Sequence, residues 1–364
     1  MTIFFTYIVE LVLFFMLFLF AGFYQKNSLS HKQFLKKHIN KIHLNKISTQ
    51  QLHTMLPRHR QSAISLLLLL LLPITSPIQA DNIPYIGVLY PESGKRASQL
   101  YSTIIKNMRQ HNEVHIQTRE FAANDSAEDI QQWLNNRKSQ AVILLGKKGM
   151  NLGKKLTIDI PVISGAHMEV QENHSSVSLT ADPGQLFYQL KTLQPDIETV
   201  HVIYNNANSG WLIKQAILAA NSNEIKLDAI QIDNMRDAGP RLKQLVQKLD
   251  PQKDAIWLAY DPILPIKPLL PDLLRKAWDK NLIIFSGNPY HVQRGTLFAL
   301  FPDYSKLGLQ LIELTLNKLD KNKQTFYEPS RYLNSAINIR TASHLGIQIS
   351  SIQRNKFKMV FPKD

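Results

Sequence analysis

TVHVIYNNANSGWLIKQAILAAN, residues 199–221, holds one complete unit of the fold. The β-branched run Thr199–Tyr204 reads as a buried strand. Asparagines break it, and Ser209–Asn221 reads as the helix that follows. The same unit recurs in both directions. Upstream, YIGVLY (Tyr85–Tyr90) is a strand. Ala97–Gln110 is a helix with Leu100, Ile104, Ile105 and Met108 on one face. Val114–Glu120 is a strand, and Ser126 with Asp129 forms a capping box that opens a helix to Asn136. AVILL (Ala141–Leu145) and Pro161–Ser164 are further strands, and a continuous apolar run such as AVILL suits a parallel strand covered on both faces. Pro183 marks the start of a helix over Asp182–Leu193. Downstream, strands at Lys226–Gln231, Ala255–Leu258 and Leu282–Phe285 alternate with helices at Ala238–Leu249 and Leu269–Lys280. A last helix, Ser305–Leu319, precedes a strand at Ala336–Ile339. Two rounds of strand-helix units predict an α/β fold of two doubly wound parallel-sheet lobes.

The N-terminal region has a different character. Met55–Ala80 has the layout of an export signal: Arg58 and Arg60, the apolar run Ala63–Leu72, then a small and polar tail ending Ile-Gln-Ala. Cleavage is expected after Ala80, placing the rest in the periplasm. A second apolar segment, Ile3–Phe23, is long enough to span a bilayer, although Glu10 interrupts it. Two readings compete. Translation begins at Met55 and residues 1–54 are an extension, or Ile3–Phe23 is an inner-membrane anchor and Ala63–Leu72 lies on the membrane surface. The first is preferred, because a complete signal rarely sits behind a spanning helix. Between them, Gln25–Thr54 is a basic linker. Its His31, His38, His43 and His53 are spaced unlike helical metal ligands.

The chain has 364 residues, a formal charge of +14 and no cysteine. Eight Lys/Arg and one Glu fall in the first 80 residues, leaving 34 basic against 27 acidic residues, or +7, in the remainder. That mild, dispersed excess suits a cell-envelope setting and does not indicate nucleic acid. The absence of cysteine excludes disulfides, thiol catalysis and an acylated-cysteine anchor.

In open parallel sheets, ligands sit beyond the carboxyl ends of the strands. In lobe one that rule selects Tyr90, Glu92 and Ser93 after the first strand, Gly146 after AVILL, and Gly165 with His167. In lobe two it selects Tyr204, Asn205, Asn208 and Ser209, then Asp233, then Tyr260 with Asp261, then Ser286 and Asn288. These small, hydrogen-bonding and aromatic residues suit a cleft that stacks an apolar body and fixes a polar end.

Three segments resemble a known family. LKTLQPDIETVHVIYNNANSGW (Leu190–Trp211), VQRGTLFALFPDYSKLG (Val292–Gly308) and AINIRTASHLGI (Ala336–Ile347) are similar to segments of bacterial ABC-type substrate-binding proteins of the tryptophan/phenylalanine-binding kind. Asp81–Gly165 matches only in its strand-helix rhythm. The resemblance implies a type I periplasmic-binding fold: two lobes joined by a multi-crossing hinge of three crossings, with one ligand in the cleft. Lobe one is expected at 81–178 and 289–325, and lobe two at 179–288 and 326–364. The family often has an acidic residue where this chain has Ser286-Gly287-Asn288. Asp261 aligns with another acidic position and is expected to pair with a ligand ammonium.

No catalytic motif stands out. Gly87 and Gly94-Lys95 have the wrong spacing for a phosphate loop, and there is no nucleophile elbow or zinc helix. His167, His174 and His291 with Asp233 read as surface groups rather than a metal site. Lys147, Lys148, Lys154 and Lys155 read as a solvated helix edge. The expectation is therefore a non-enzymatic, monomeric periplasmic solute-binding protein with no cofactor and no nucleic-acid partner. It would deliver a small molecule, an amino acid among the candidates, to an inner-membrane ABC permease. The alternative is a periplasmic ligand-sensing subunit for a membrane kinase or receptor system.

Overall fold

A computed structural model describes residues 83–170, 174–321 and 325–363. The segments Ile3–Phe23, Gln25–Thr54 and Met55–Ala80, with the export and anchor readings placed on them, lie outside the described residues. The unit described is Ala80–Asp364.

The chain runs β1 (Tyr85–Pro91), α1 (Lys95–Met108), β2 (His115–Phe121), α2 (Ala127–Asn136), β3 (Ala141–Leu145), α3 (Gly146–Gly153), β4 (Val162–His167) and β5 (Ser175–Ala181). It continues as α4 (Pro183–Leu193), β6 (Thr199–Tyr204), α5 (Asn206–Ser222), β7 (Lys226–Gln231), α6 (Met235–Lys248), β8 (Asp254–Leu258), α7 (Ile266–Asp279) and β9 (Ile283–Ser286). The last part is α8 (Pro289–Arg294), β10 (Phe298–Pro302), α9 (Tyr304–Lys321), β11 (Tyr327–Ser330), β12 (Leu333–Asn338), α10 (Ile339–His344), α11 (Ser351–Arg354) and β13 (Met359–Phe361).

The strands form two sheets, ordered β11-β5-β4-β3-β1-β2 and β13-β12-β10-β9-β8-β6-β7. Every pairing is parallel except β10 with β12. Both sheets are doubly wound, as expected. Each reverses its strand order once, between β1 and β3 in one and between β6 and β8 in the other.

The expected lobe boundaries need correction. β10 pairs with β9 and β12, so Phe298–Pro302 belongs to the second lobe, not the first. β11 pairs with β5, so Tyr327–Ser330 belongs to the first lobe, not the second. The chain thus crosses between the sheets after Ala181, after Pro302 and after Ser330. YEPS gives little strand signal because it is an edge strand, where Pro is tolerated. β5 (SSVSLTA) escapes a hydropathy reading because its serines are polar, although they are buried. Two of its polar groups bond locally, Ser178 Oγ to Met168 O at 2.7 Å and Ser330 Oγ to Ser178 O at 2.9 Å. α3 was hidden by three glycines in eight residues, which lower helix propensity.

Local signals set several boundaries. The Ser126–Asp129 capping box forms, with the Asp129 N–H donating to Ser126 Oγ at 3.0 Å. Asp182 caps α4 and Pro183 opens it. Helix α9 returns across lobe one and lies against α1. The approach requires Gly308: a Cβ there would stand 2.4 Å from the Ile104 carbonyl oxygen. Lobe two is centred on aromatics. Phe187 meets Trp257 edge-on at 5.6 Å, and Phe285 stacks on Phe298 at 5.1 Å. Such pairs add roughly 0.5–1.5 kcal/mol each beyond burial. Among the described residues, no helix is long and apolar enough to cross a membrane.

Candidate functional site

Strand β6 ends at Tyr204 and α5 begins two residues later, so the turn between them sits at the strand-order reversal of the second sheet. Four expected site residues meet there in one network. Asp261, only 4 % exposed, is its centre. Its Oδ2 accepts from the Asn205 N–H at 2.7 Å and from the Ser209 hydroxyl. Its Oδ1 accepts from the Ile263 N–H at 3.1 Å and from Asn208 Nδ2 at 3.3 Å. Asn205 also donates through Nδ2 to the Ile232 carbonyl at 2.9 Å. An ionised carboxylate offers about four acceptor positions, and here the chain fills all of them. Asp261 therefore ties the β6, β7 and β8 ends together. The geometry gives Asp261 a loop-organising role at the edge of the cavity it also lines.

Beside this network lies a cavity of about 640 Å³. The ends of β8 and β9, the starts of α7 and α9, and the crossing strands β5 and β10 wall it. Trp257, Leu186 and Leu212 supply apolar wall from the lobe-two core. Tyr260, Asp261 and Asn288 line it as expected. Ser286 does not; it is fully buried, and its hydroxyl accepts from the Asn288 N–H at 3.1 Å, setting the turn that presents Asn288. Tyr204 is half-buried against the core, and Asp233 is exposed, taking a bond from Gln231 Nε2 at 3.2 Å. Neither lines the cavity.

The expected lobe-one residues also lie outside the cavity lining. Tyr90, Ser93 and Gly146 gather around Tyr101 instead. The Tyr90 and Tyr101 rings are 6.0 Å apart, and Ser93 hydrogen-bonds Tyr101. Gly146 has φ +75°, and a Cβ there would sit 2.2 Å from the Tyr101 hydroxyl. Glu92 is exposed, and Gly165 makes room for Leu311. His167 is buried in its sheet, with Nδ1 2.5 Å from the Glu169 carbonyl oxygen.

A different lobe-one pair acts on the cavity residue Tyr260 through its charges. Lys147 pairs with Glu169 at 2.7 Å. Burial pushes the Glu169 carboxyl up, but the Lys147 hydrogen bond and charge outweigh it, and the net direction is down. Tyr260 of lobe two feels both charges. Burial raises its phenol first, and the Glu169 charge adds to the rise. Burial also holds the imidazole of His291, another cavity residue, below its ordinary value. Among the described residues, no group of three or more His, Asp or Glu could hold a metal.

Sequence reasoning missed Thr180, Trp257 and Lys267 as cavity residues. Thr180 ends a strand that hydropathy did not reveal. Trp257 lies inside the strand Ala255–Leu258 and is 2 % exposed, so it belongs to the core as well as to the cavity wall. Lys267 stands nine residues after β8, beyond the reach of a strand-end rule.

No protein-family profile matches the chain. No curated protein matches it either. Solved structures do. A substrate-binding protein with adhesive properties from Clostridium difficile, in its ligand-free, open form, overlays with a TM-score of 0.51 at 17% identity, covering 77% of this chain and 100% of that one. An ABC domain in complex with L-Trp from Streptococcus pneumonia overlays at 0.44 and 18% identity, covering 76% of this chain and 100% of that one. A periplasmic-binding ribose operon repressor from Lactobacillus acidophilus overlays at 0.36 and 14% identity, covering 68% of this chain and 94% of that one. The last two overlays are too loose to carry weight. With the two doubly wound sheets and three crossings, the Clostridium difficile match shows the fold: that of type I periplasmic binding proteins.

Proposed function

We propose that this protein captures a small organic molecule between its lobes, as an exported solute-binding protein that serves an ABC-type permease in the inner membrane. One observation carries the reading: the cavity of about 640 Å³ at the carboxyl ends of β8 and β9, walled also by two crossings. Its size falls within the roughly 300–1,000 Å³ common to small-molecule sites, and its wall is apolar with a few polar groups. Lobe closure about the crossings would bring the Lys147–Glu169 pair towards Tyr260 and shut the mouth. Ligand favours closure only by binding the closed form better. The signal-like order of Met55–Ala80 supports export to the periplasm.

A thermal-shift screen of the full chain against amino acids, short peptides, purines, sugars and organic acids tests capture. A ligand at a hundred times its dissociation constant adds about 2.7 kcal/mol of stability. No shift with any class would remove the reading. N-terminal sequencing of protein extracted from cells tests export: a start at Asp81 supports it, and a mature chain retaining Phe23 overturns the cleavage.

A further inference from the structure

The cavity has an uneven charge inventory. Its one carboxylate, Asp261, already accepts four hydrogen bonds from the chain. Its one cation, Lys267, is exposed and makes no ion pair among the described residues. Lys267 sits in the first turn of α7, a 14-residue helix with no acidic residue in that turn and no side-chain cap. A lysine at the positive end of a helix is repelled by it, unless an anion sits against both. A second feature points the same way. Thr180 lines the cavity, is 6 % exposed, and its buried hydroxyl has no partner. Such a hydroxyl costs stability until something bonds to it. Asn288 accepts from the Tyr290 N–H at 3.0 Å through Oδ1, which leaves its NH2 group to donate. The wall thus offers donors and one free cation, and no uncommitted carboxylate.

Resting on the capture reading above, we propose that the cavity takes a molecule with an apolar body and a single carboxylate and no ammonium, its carboxylate held by the ammonium and backbone N–H of Lys267 at the start of α7. The apolar body lies along Trp257 and Leu212. Thr180 and Asn288 donate to the remaining oxygen positions. An ammonium beside that carboxylate would be desolvated with no carboxylate left to pair it, the spare acceptors in the wall being neutral groups such as His291, which is costly.

Matched probes test this on the full chain in mild detergent. Calorimetric titration compares 3-phenylpropionate with L-phenylalanine and with 3-phenylpropanamide, and 4-methylpentanoate with L-leucine. Each acid differs from its amino acid only by the ammonium. The acids are expected to bind at least about tenfold more tightly than the amino acids, from the cost of an unpaired buried charge. Lys267→Met, at an exposed position, is expected to weaken the acids about tenfold or more and leave the amide unchanged, as loss of a charge-assisted bond predicts. Thr180→Val is expected to weaken the acids without lowering the melting temperature, because it removes an unpartnered hydroxyl. Amino acids binding as tightly as the acids, or the amide matching them, would overturn the proposal. Binding confined to sugars, purines or peptides would overturn it and leave capture standing. Silence from every probe would overturn both.

Discussion

Replacing Asp261 with Asn keeps the shape and removes the charge. The best placement leaves the amide oxygen at the Oδ2 position, where it still accepts from the Asn205 N–H and the Ser209 hydroxyl. The new NH2 group then faces two donors. Asn208 can turn its own amide and offer an oxygen only by giving up its Nδ2 bond to Asn205 Oδ1 at 3.1 Å; the Ile263 peptide N–H cannot reverse. One buried backbone donor loses its partner, at roughly 1–3 kcal/mol, and the two remaining bonds lose charge assistance, at about 1 kcal/mol together. The expected total is about 2–4 kcal/mol. For a chain of this size that lowers the melting temperature by roughly 4–12 °C. Thermal and urea melts of the full chain, followed by tryptophan fluorescence, read it, since Trp257 lies four residues before Asp261. Ser209→Ala should cost less, and the double variant should fall short of the sum, as members of one network do. An Asp261→Asn variant with wild-type stability and a lost ligand response would refute this account and restore the ammonium-pairing role.

Gly308→Ala should cost more than 2 kcal/mol by melt, because its Cβ meets backbone rather than a movable side chain, a severe form of overpacking that ordinarily costs roughly 1–3 kcal/mol; an unchanged midpoint would show that α9 does not press on α1. His201 lies between Asp228, 2.7 Å from Nδ1, and Asp254, 3.2 Å from Nε2. His201→Leu should lose about 1–3 kcal/mol by removing the hydrogen bond to Asp228, while Asp254 keeps the Asp250 N–H at 2.9 Å, and Asp228→Asn in that background should recover part of the loss. Burial holds His167, His174 and His291 below their ordinary value. Above about pH 6.5 neither folded nor unfolded chain protonates them, so stability is full there; below it the unfolded chain takes protons first and stability declines until the lowered folded values are passed. The melting midpoint should therefore drop between pH 7 and 5, and His291→Gln should flatten that slope; a midpoint insensitive to pH would contradict the buried, neutral state.

The strand-helix rhythm was legible because parallel strands buried on both faces, such as Ala141–Leu145, leave unbroken apolar runs. The strand-end rule found Tyr260, Asp261 and Asn288 at the cavity. It could not separate ligand-facing groups from loop-tying ones. Asp261 and Ser209 look alike in sequence whether they bond a ligand or each other, and only the count of donors around Oδ1 and Oδ2 decides. Lobe-one residues such as Tyr90 and Gly146 obey the same rule and serve Tyr101 packing instead. The boundaries at 289 and 326 failed for a related reason. Which sheet a short strand joins depends on its partners across space, and neither FALFP nor YEPS carries that information.

Two of the three crossings begin at cavity wall: Ala181, which ends β5, and Pro302, which ends β10, both line it. The joint between the lobes and the container for the ligand are thus the same few residues. Any rotation of one lobe reshapes the container, and any molecule inside acts as a pin through the joint. Affinity and lobe angle are then one adjustable quantity, and a substitution that stiffens either crossing would retune binding without touching the bound molecule.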